Sequence, residues 1–161
     1  MVNKKKNVWT LEDELEHFPI AKEWWSTLGF FTTTENNQKW SFKIDFAQYY
    51  KKSSFESSTL SLTIFNLNTN KMFSYFSIDE SSKLKSSKNE FYMKFDKSFI
   101  KGIFPNYQIN VNDAKNNIKL NLKYNAKSSP YWVAKQATNG WLPWGVGYFR
   151  YGFIPNNDLE G

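Results

Sequence analysis

Cysteine is absent from this chain, and histidine and arginine occur once each, as His17 and Arg150. Without thiols there is no disulfide and no thiolate metal centre, and a lone imidazole rules out a multi-histidine metal site. Glycine is scarce, with seven residues at 29, 102, 140, 145, 147, 152 and 161, and their spacing forms no phosphate-cradling loop. No Gly-x-Ser-x-Gly elbow presents a nucleophile for His17 to activate. No apolar run approaches the roughly 20 residues of a membrane-spanning helix, so no membrane span is expected. Residues 1–7 are basic but lack the apolar stretch of a secretory leader, which makes the cytoplasm the expected compartment. The net charge of +6 is almost entirely lysine. Base and phosphate recognition favours the planar fork of arginine, so the lysines read as a solvating surface and no nucleic-acid partner is expected.

What the chain has in abundance is aromatic rings: 15 Phe, 9 Tyr and 7 Trp among 161 residues. A chain of this length suits one domain, residues 1–161, able to bury a core without covalent staples. The rings recur at every second position. Trp40, Phe42, Ile44 and Phe46 point one way, with Ser41, Lys43 and Asp45 pointing the other, as in a half-buried strand. Leu60, Leu62 and Ile64 repeat the pattern, as do Phe91, Met93 and Phe95, and Tyr107, Ile109 and Val111. Ile118, Leu120, Leu122 and Tyr124 follow a turn at residues 113–117 and complete a hairpin. Residues 72–78 carry apolar groups on both sides, which predicts a strand buried on both faces, and residues 148–154 predict a last aromatic strand. Residues 79–89, rich in Ser and Lys, read as a solvated loop. Residues 10–16 predict a short N-terminal helix, with Thr10 as its cap and acids in its first turn. The acids Glu12, Asp13, Glu14 and Glu16 read as a solvated helix face, since they lack the spacing of a calcium loop. Roughly seven to nine antiparallel strands with short turns predict an all-β fold, a lipocalin-like barrel or a strongly bent two-sheet sandwich.

Chemistry, if present, must come from carboxylates and rings. Glu23, followed by Trp24 and Trp25, and Asp45, within the Trp40 strand, are the acids in aromatic surroundings. An acid held in an apolar cavity resists ionisation and can donate a proton near neutrality. The competing reading pairs Glu23 with a lysine or with backbone N–H groups at the mouth of the fold, and makes His17 a hydrogen-bonded histidine at a strand entry. Trp24, Trp25, Trp40, Trp132, Trp141 and Trp144 are many for a small core, and each has an N–H to satisfy. They either fill the interior or line a cavity.

The segment His17-Phe18-Pro19-Ile20-Ala21-Lys22-Glu23-Trp24-Trp25-Ser26-Thr27-Leu28-Gly29, with Trp40-Ser41-Phe42 after it, resembles the opening of the AttH-like and hydroxyneurosporene synthase (carotenoid hydratase) family. Gly145-Val146-Gly147-Tyr148-Phe149-Arg150-Tyr151 through Leu159-Glu160-Gly161 is similar to the end of that family's first domain. The resemblance implies two lipocalin-like barrels in tandem, of which this chain matches the first, and an isoprenoid-like or polyketide-like ligand. The family's Trp-Asp-His-Glu-type motif lies beyond the matched part, so only Glu23, Trp24 and Trp25 carry over.

Three functions follow. A binding module would hold a hydrophobic small molecule among Trp24, Trp25, Trp40, Phe42, Phe46, Leu62, Phe76 and Phe95, oriented by Glu23 and Tyr124. A hydratase or cyclase would use Glu23 or Asp45 as the acid and the tryptophans to stabilise a cation. A solid-cored domain would instead bind a second lipocalin-like domain or another copy of itself. None of the three calls for a metal or cofactor.

Overall fold

The computed structural model describes the chain except residues 1–8, 16, 18–21, 53, 82–83, 88, 115–116, 139 and 145–146, with the backbone alone for 85–86, 135–136 and 144. Parts of the resemblance segments, of the 79–89 loop and of the 113–117 turn therefore lie outside the described residues.

Alternating apolar side chains produce two open antiparallel sheets. The first has the order β1 (Lys22–Thr32), β2 (Lys39–Lys51), β3 (Ser54–Asn66) and β4 (Lys71–Asp79). The second contains β5 (Lys85–Ser86), β6 (Phe91–Phe95), β7 (Ser98–Ile103), β8 (Asn106–Asp113) and β9 (Ile118–Ala126), with β14 (Asn157–Glu160) beside β9. Between β9 and β14 the chain forms β10 (Tyr131–Trp132), a single helical turn α1 (Lys135–Thr138), β11 (Trp141–Trp144), β12 (Gly147–Arg150) and β13 (Gly152–Phe153). Among the described residues no ladder joins the two sheets, so the strands make a two-sheet sandwich rather than a closed barrel.

The register explains the core. Trp25, Phe46 and Leu60 are aligned across β1, β2 and β3, as are Thr27, Ile44 and Leu62, and paired residues share a face. That face meets Phe91, Met93, Ile100, Ile109, Val111 and Leu122 from the second sheet. Ile44, Phe46, Leu62, Met93 and Val111 are fully buried. The sheets also touch at the β1 edge, where Thr27 Oγ1 donates to Tyr124 Oη at 2.9 Å. Turn chemistry fixes the β3–β4 hairpin: Asn66 Oδ1 accepts from the backbone N–H groups of Asn68 (2.9 Å) and Thr69 (3.0 Å).

Three expectations change. Residues 10–15 form no α-helix, residue 16 lying outside the described residues: Leu11–Asp13 make one 3-10 turn, held by Asp13 Oδ2 accepting from Thr10 N at 2.9 Å. The chain leaves that turn at once because Glu14 is drawn inward by side-chain partners. β4 is not buried on both faces: Met72, Phe76 and Ile78 project from the outer face, 68%, 64% and 53% exposed. Residues 148–154 are two short strands, β12 and β13, paired with β11 and β10 respectively.

Candidate functional site

The N-terminal turn lays Glu14 into a corner of the sandwich, and the residue is 92% removed from solvent (8% exposed). Its Oε1 accepts from Trp9 Nε1 and from Tyr107 Oη, both at 2.9 Å. Its backbone carbonyl accepts from Trp25 Nε1 at 3.0 Å. Phe91 completes the surround, with its ring centroid 6.3 Å from Trp25 and 6.2 Å from Tyr107. Glu14 Oε2 is buried and has no hydrogen-bond partner among the described residues. Burial pushes the Glu14 carboxyl above its ordinary range; the Trp9 and Tyr107 hydrogen bonds oppose this, and the nearby Asp13 charge adds to it.

A second orphan group shares this side of the sheet. Gln48 is fully buried, and among the described residues neither its amide oxygen nor its amide nitrogen has a hydrogen-bond partner. It lies opposite Glu23 on β1, one inward position beyond the Trp25–Phe46 pair. A buried, unpaired amide costs about 1–3 kcal/mol, and unsatisfied groups in a packed interior are uncommon enough to call for a reason. A buried acid with one unpartnered oxygen among Trp9, Trp25 and Tyr107, and a buried amide on the same face of β2 as Phe46, are polar groups of the kind that orient a mostly apolar molecule.

Clamps fasten the turn over this corner. Arg150 Nη1 bonds Asp13 Oδ1 at 2.7 Å, and the guanidinium lies 3.6 Å from the centre of the Trp132 ring. Trp9 packs on Trp132 at 4.5 Å. The chain's single arginine is thus a tie between the two terminal segments.

Glu23 stands at the entry of β1, its side chain 11% exposed, and bonds His17 twice: Oε2 accepts from the backbone N–H (2.9 Å) and Oε1 meets Nδ1 (2.6 Å). That is the strand-entry pairing the sequence allowed for both residues. The bond to Glu23 raises the His17 pKa, against a smaller opposing effect of burial. Asp45 is not in an aromatic cavity. It points to the outer face, where Ser26 and Ser61 donate to it and Lys43 Nζ approaches to 2.9 Å; the period of two that buries Ile44 and Phe46 turns Asp45 outward. Phe76 is likewise on the outer face and lines no interior.

Trp24 also faces outward, against Phe149 at 5.8 Å and beneath Lys22, so Trp24 and Trp25 sit on opposite faces. Phe42, Phe46, Leu62, Phe95 and Tyr124 belong to the packed core. Burial pushes the Tyr124 hydroxyl up to about 12, partly offset by the bond to Thr27. Trp40 is half-buried, stacked on Phe31 at 6.3 Å, with an unpartnered Nε1 beside a small hollow of ≈ 220 Å³. A cleft of ≈ 700 Å³ opens at another corner, between β4 and the turns after β6 and β8. Lys94, Lys97, Asp79, Asp96 and Asp113 are prominent in its walls, a lining unsuited to an apolar ligand, and Glu14 takes no part in it.

Two open antiparallel sheets sharing one core define an all-β, two-sheet sandwich domain. The chain is similar to the crystal structure of kievitone hydratase from Nectria haematococca, with a TM-score of 0.66 and 19% identity over 88% of this chain. It spans 40% of that protein's length, and at this identity the likeness is one of fold. No protein-family model and no curated protein sequence matches the chain.

Proposed function

We propose that this chain is a lipocalin-like domain that binds a hydrophobic, isoprenoid-like small molecule at the corner formed by Glu14, Trp25, Gln48 and Tyr107. The observation that carries the reading is the pair of buried, unpartnered polar groups, Glu14 Oε2 and the Gln48 amide, the first of them bonded and flanked by Trp9, Trp25 and Tyr107. The centre of the sandwich is solid at Ile44, Phe46 and Leu62, which leaves the Glu14 corner as the place for the ligand. Apolar contact with the rings supplies affinity at about 25 cal/mol per Å², and the acid and amide orient the polar end. Retinol serves as the probe, followed by quenching of tryptophan fluorescence. Wild-type protein should bind at one saturable site, and Gln48→Leu should bind roughly tenfold more weakly while melting no lower, because it removes an unsatisfied buried amide. Absence of saturable binding, or equal binding by Gln48→Leu and Glu14→Gln, contradicts the reading.

The raised carboxyl of Glu14 favours a second reading, a hydratase. The Glu14 proton passes to one alkene carbon, forming a C–H bond and leaving a cation at the other. Trp25 and Tyr107 stabilise that cation through their ring faces. Water adds through oxygen, and the proton it sheds returns to the Glu14 carboxylate. Conversion of an isoprenoid alkene to a product heavier by one water, abolished in Glu14→Gln, supports this reading; retained conversion in that variant contradicts it.

A further inference from the structure

We propose that β4 is the edge through which two copies of this chain pair, antiparallel, about a two-fold axis at Tyr75. β4 is nine residues long, ends its sheet, and among the described residues is laddered only to β3, with no bulge in that register. Natural edge strands are protected by proline, bulges or charges along their length. β4 has no proline, and its charges stand only at its two ends, Lys71 and Asp79, with opposite sign.

That arrangement is self-complementary. In an antiparallel pair centred on Tyr75, Lys71 of one copy faces Asp79 of the other, and two-fold symmetry makes the contact twice. Met72 then faces Ile78 and Ser74 faces Phe76, so the exposed apolar groups of the outer face meet each other across the junction. The other edges do not offer this. β1 has Lys22 at one end and Thr32 at the other, and it is tied to the second sheet through Thr27 with Tyr124. β5 and β14 are two and four residues long.

The test is sedimentation of the full chain over a concentration series. A reversible dimer is expected. Lys71→Asp and Asp79→Lys each set like charges opposite one another twice and should weaken it roughly tenfold, while the double variant Lys71→Asp/Asp79→Lys should recover to within about threefold. A monomer throughout, as expected if a different protein or domain covers β4, overturns the proposal. So does a dimer indifferent to the single reversals. Because Asp79 also accepts from Ser81 N and Oγ, amide exchange of the unaltered protein supplies a check free of folding defects. Protection in β4 should rise with concentration and that in β1 should not; a dimer without protection in β4 overturns the pairing.

Discussion

Glu14 and His17, three residues apart, respond to pH in different windows. Glu14 carries a raised carboxyl, so its ionisation costs the folded state more than the unfolded one. That cost is absent below the ordinary carboxyl value of 4.5, grows as pH rises, and is complete above the folded value. Glu14→Gln, which mimics the neutral acid, should therefore match wild type in stability at low pH and exceed it above that range. His17 carries a raised imidazole through Glu23; its stabilisation is complete below the ordinary value of 6.5 and fades as pH climbs through the folded value. Glu23→Gln should flatten the stability curve in that second window. Urea midpoints recorded across pH for the three proteins check both, and a Glu14→Gln curve parallel to wild type throughout contradicts the buried-acid assignment. Glu14 was hard to read from sequence because it stands among Glu12, Asp13 and Glu16, and charge alone does not say which member turns inward. The available signal was local: Leu11 and Leu15 flank it and Trp9 precedes it, so the segment has an apolar side. Glu23 was legible because it adjoins two tryptophans; its carboxylate bonds His17.

At the scale of the element, period-two alternation located β2, β3, β6, β8 and β9 and predicted their inward faces. It failed where the pattern is ambiguous. β4 has apolar residues on both sides, and no sequence pattern reports that nothing covers its outer face. β7 has Phe99 and Ile100 adjacent and Gly102 within it, which hides its alternation. That glycine is a fixed point of the β7–β8 hairpin: its φ is +151°, and a Cβ there would lie 2.2 Å from Asn106 O and 2.7 Å from Tyr107 Cα. Gly102→Ala must move backbone and should cost about 2–4 kcal/mol; it should also disturb Tyr107, hence the Glu14 corner. Chemical denaturation checks the loss, and an unchanged midpoint contradicts the steric argument. The N-terminal helix is expected from a cap and acids alone; the segment instead makes three residues of 3-10 turn and carries Glu14 to tertiary partners.

For the whole molecule, alternation specified layers without specifying closure. A barrel and a two-sheet sandwich share the same in-and-out pattern; what separates them is whether β4 meets β5, and the hydrogen bonds described between strands leave that seam open. The same limit applies to the interior. Sequence could not distinguish rings that fill from rings that line, and the structure places Phe42, Phe46 and Leu62 in a packed centre while gathering Trp9, Trp25 and Tyr107 around an acid. Function on this account belongs to the corner, where packing is interrupted by unsatisfied polar groups, and the centre supplies rigidity. The indole N–H resonances of the seven tryptophans offer the most direct examination, since Trp9 and Trp25 donate to Glu14 itself. Titrating retinol into labelled protein should shift the Trp9 and Trp25 signals together to saturation and leave Trp40 in place. Movement of Trp40 with Trp9 and Trp25 unmoved, or no saturable shift in any of the seven, would contradict the account.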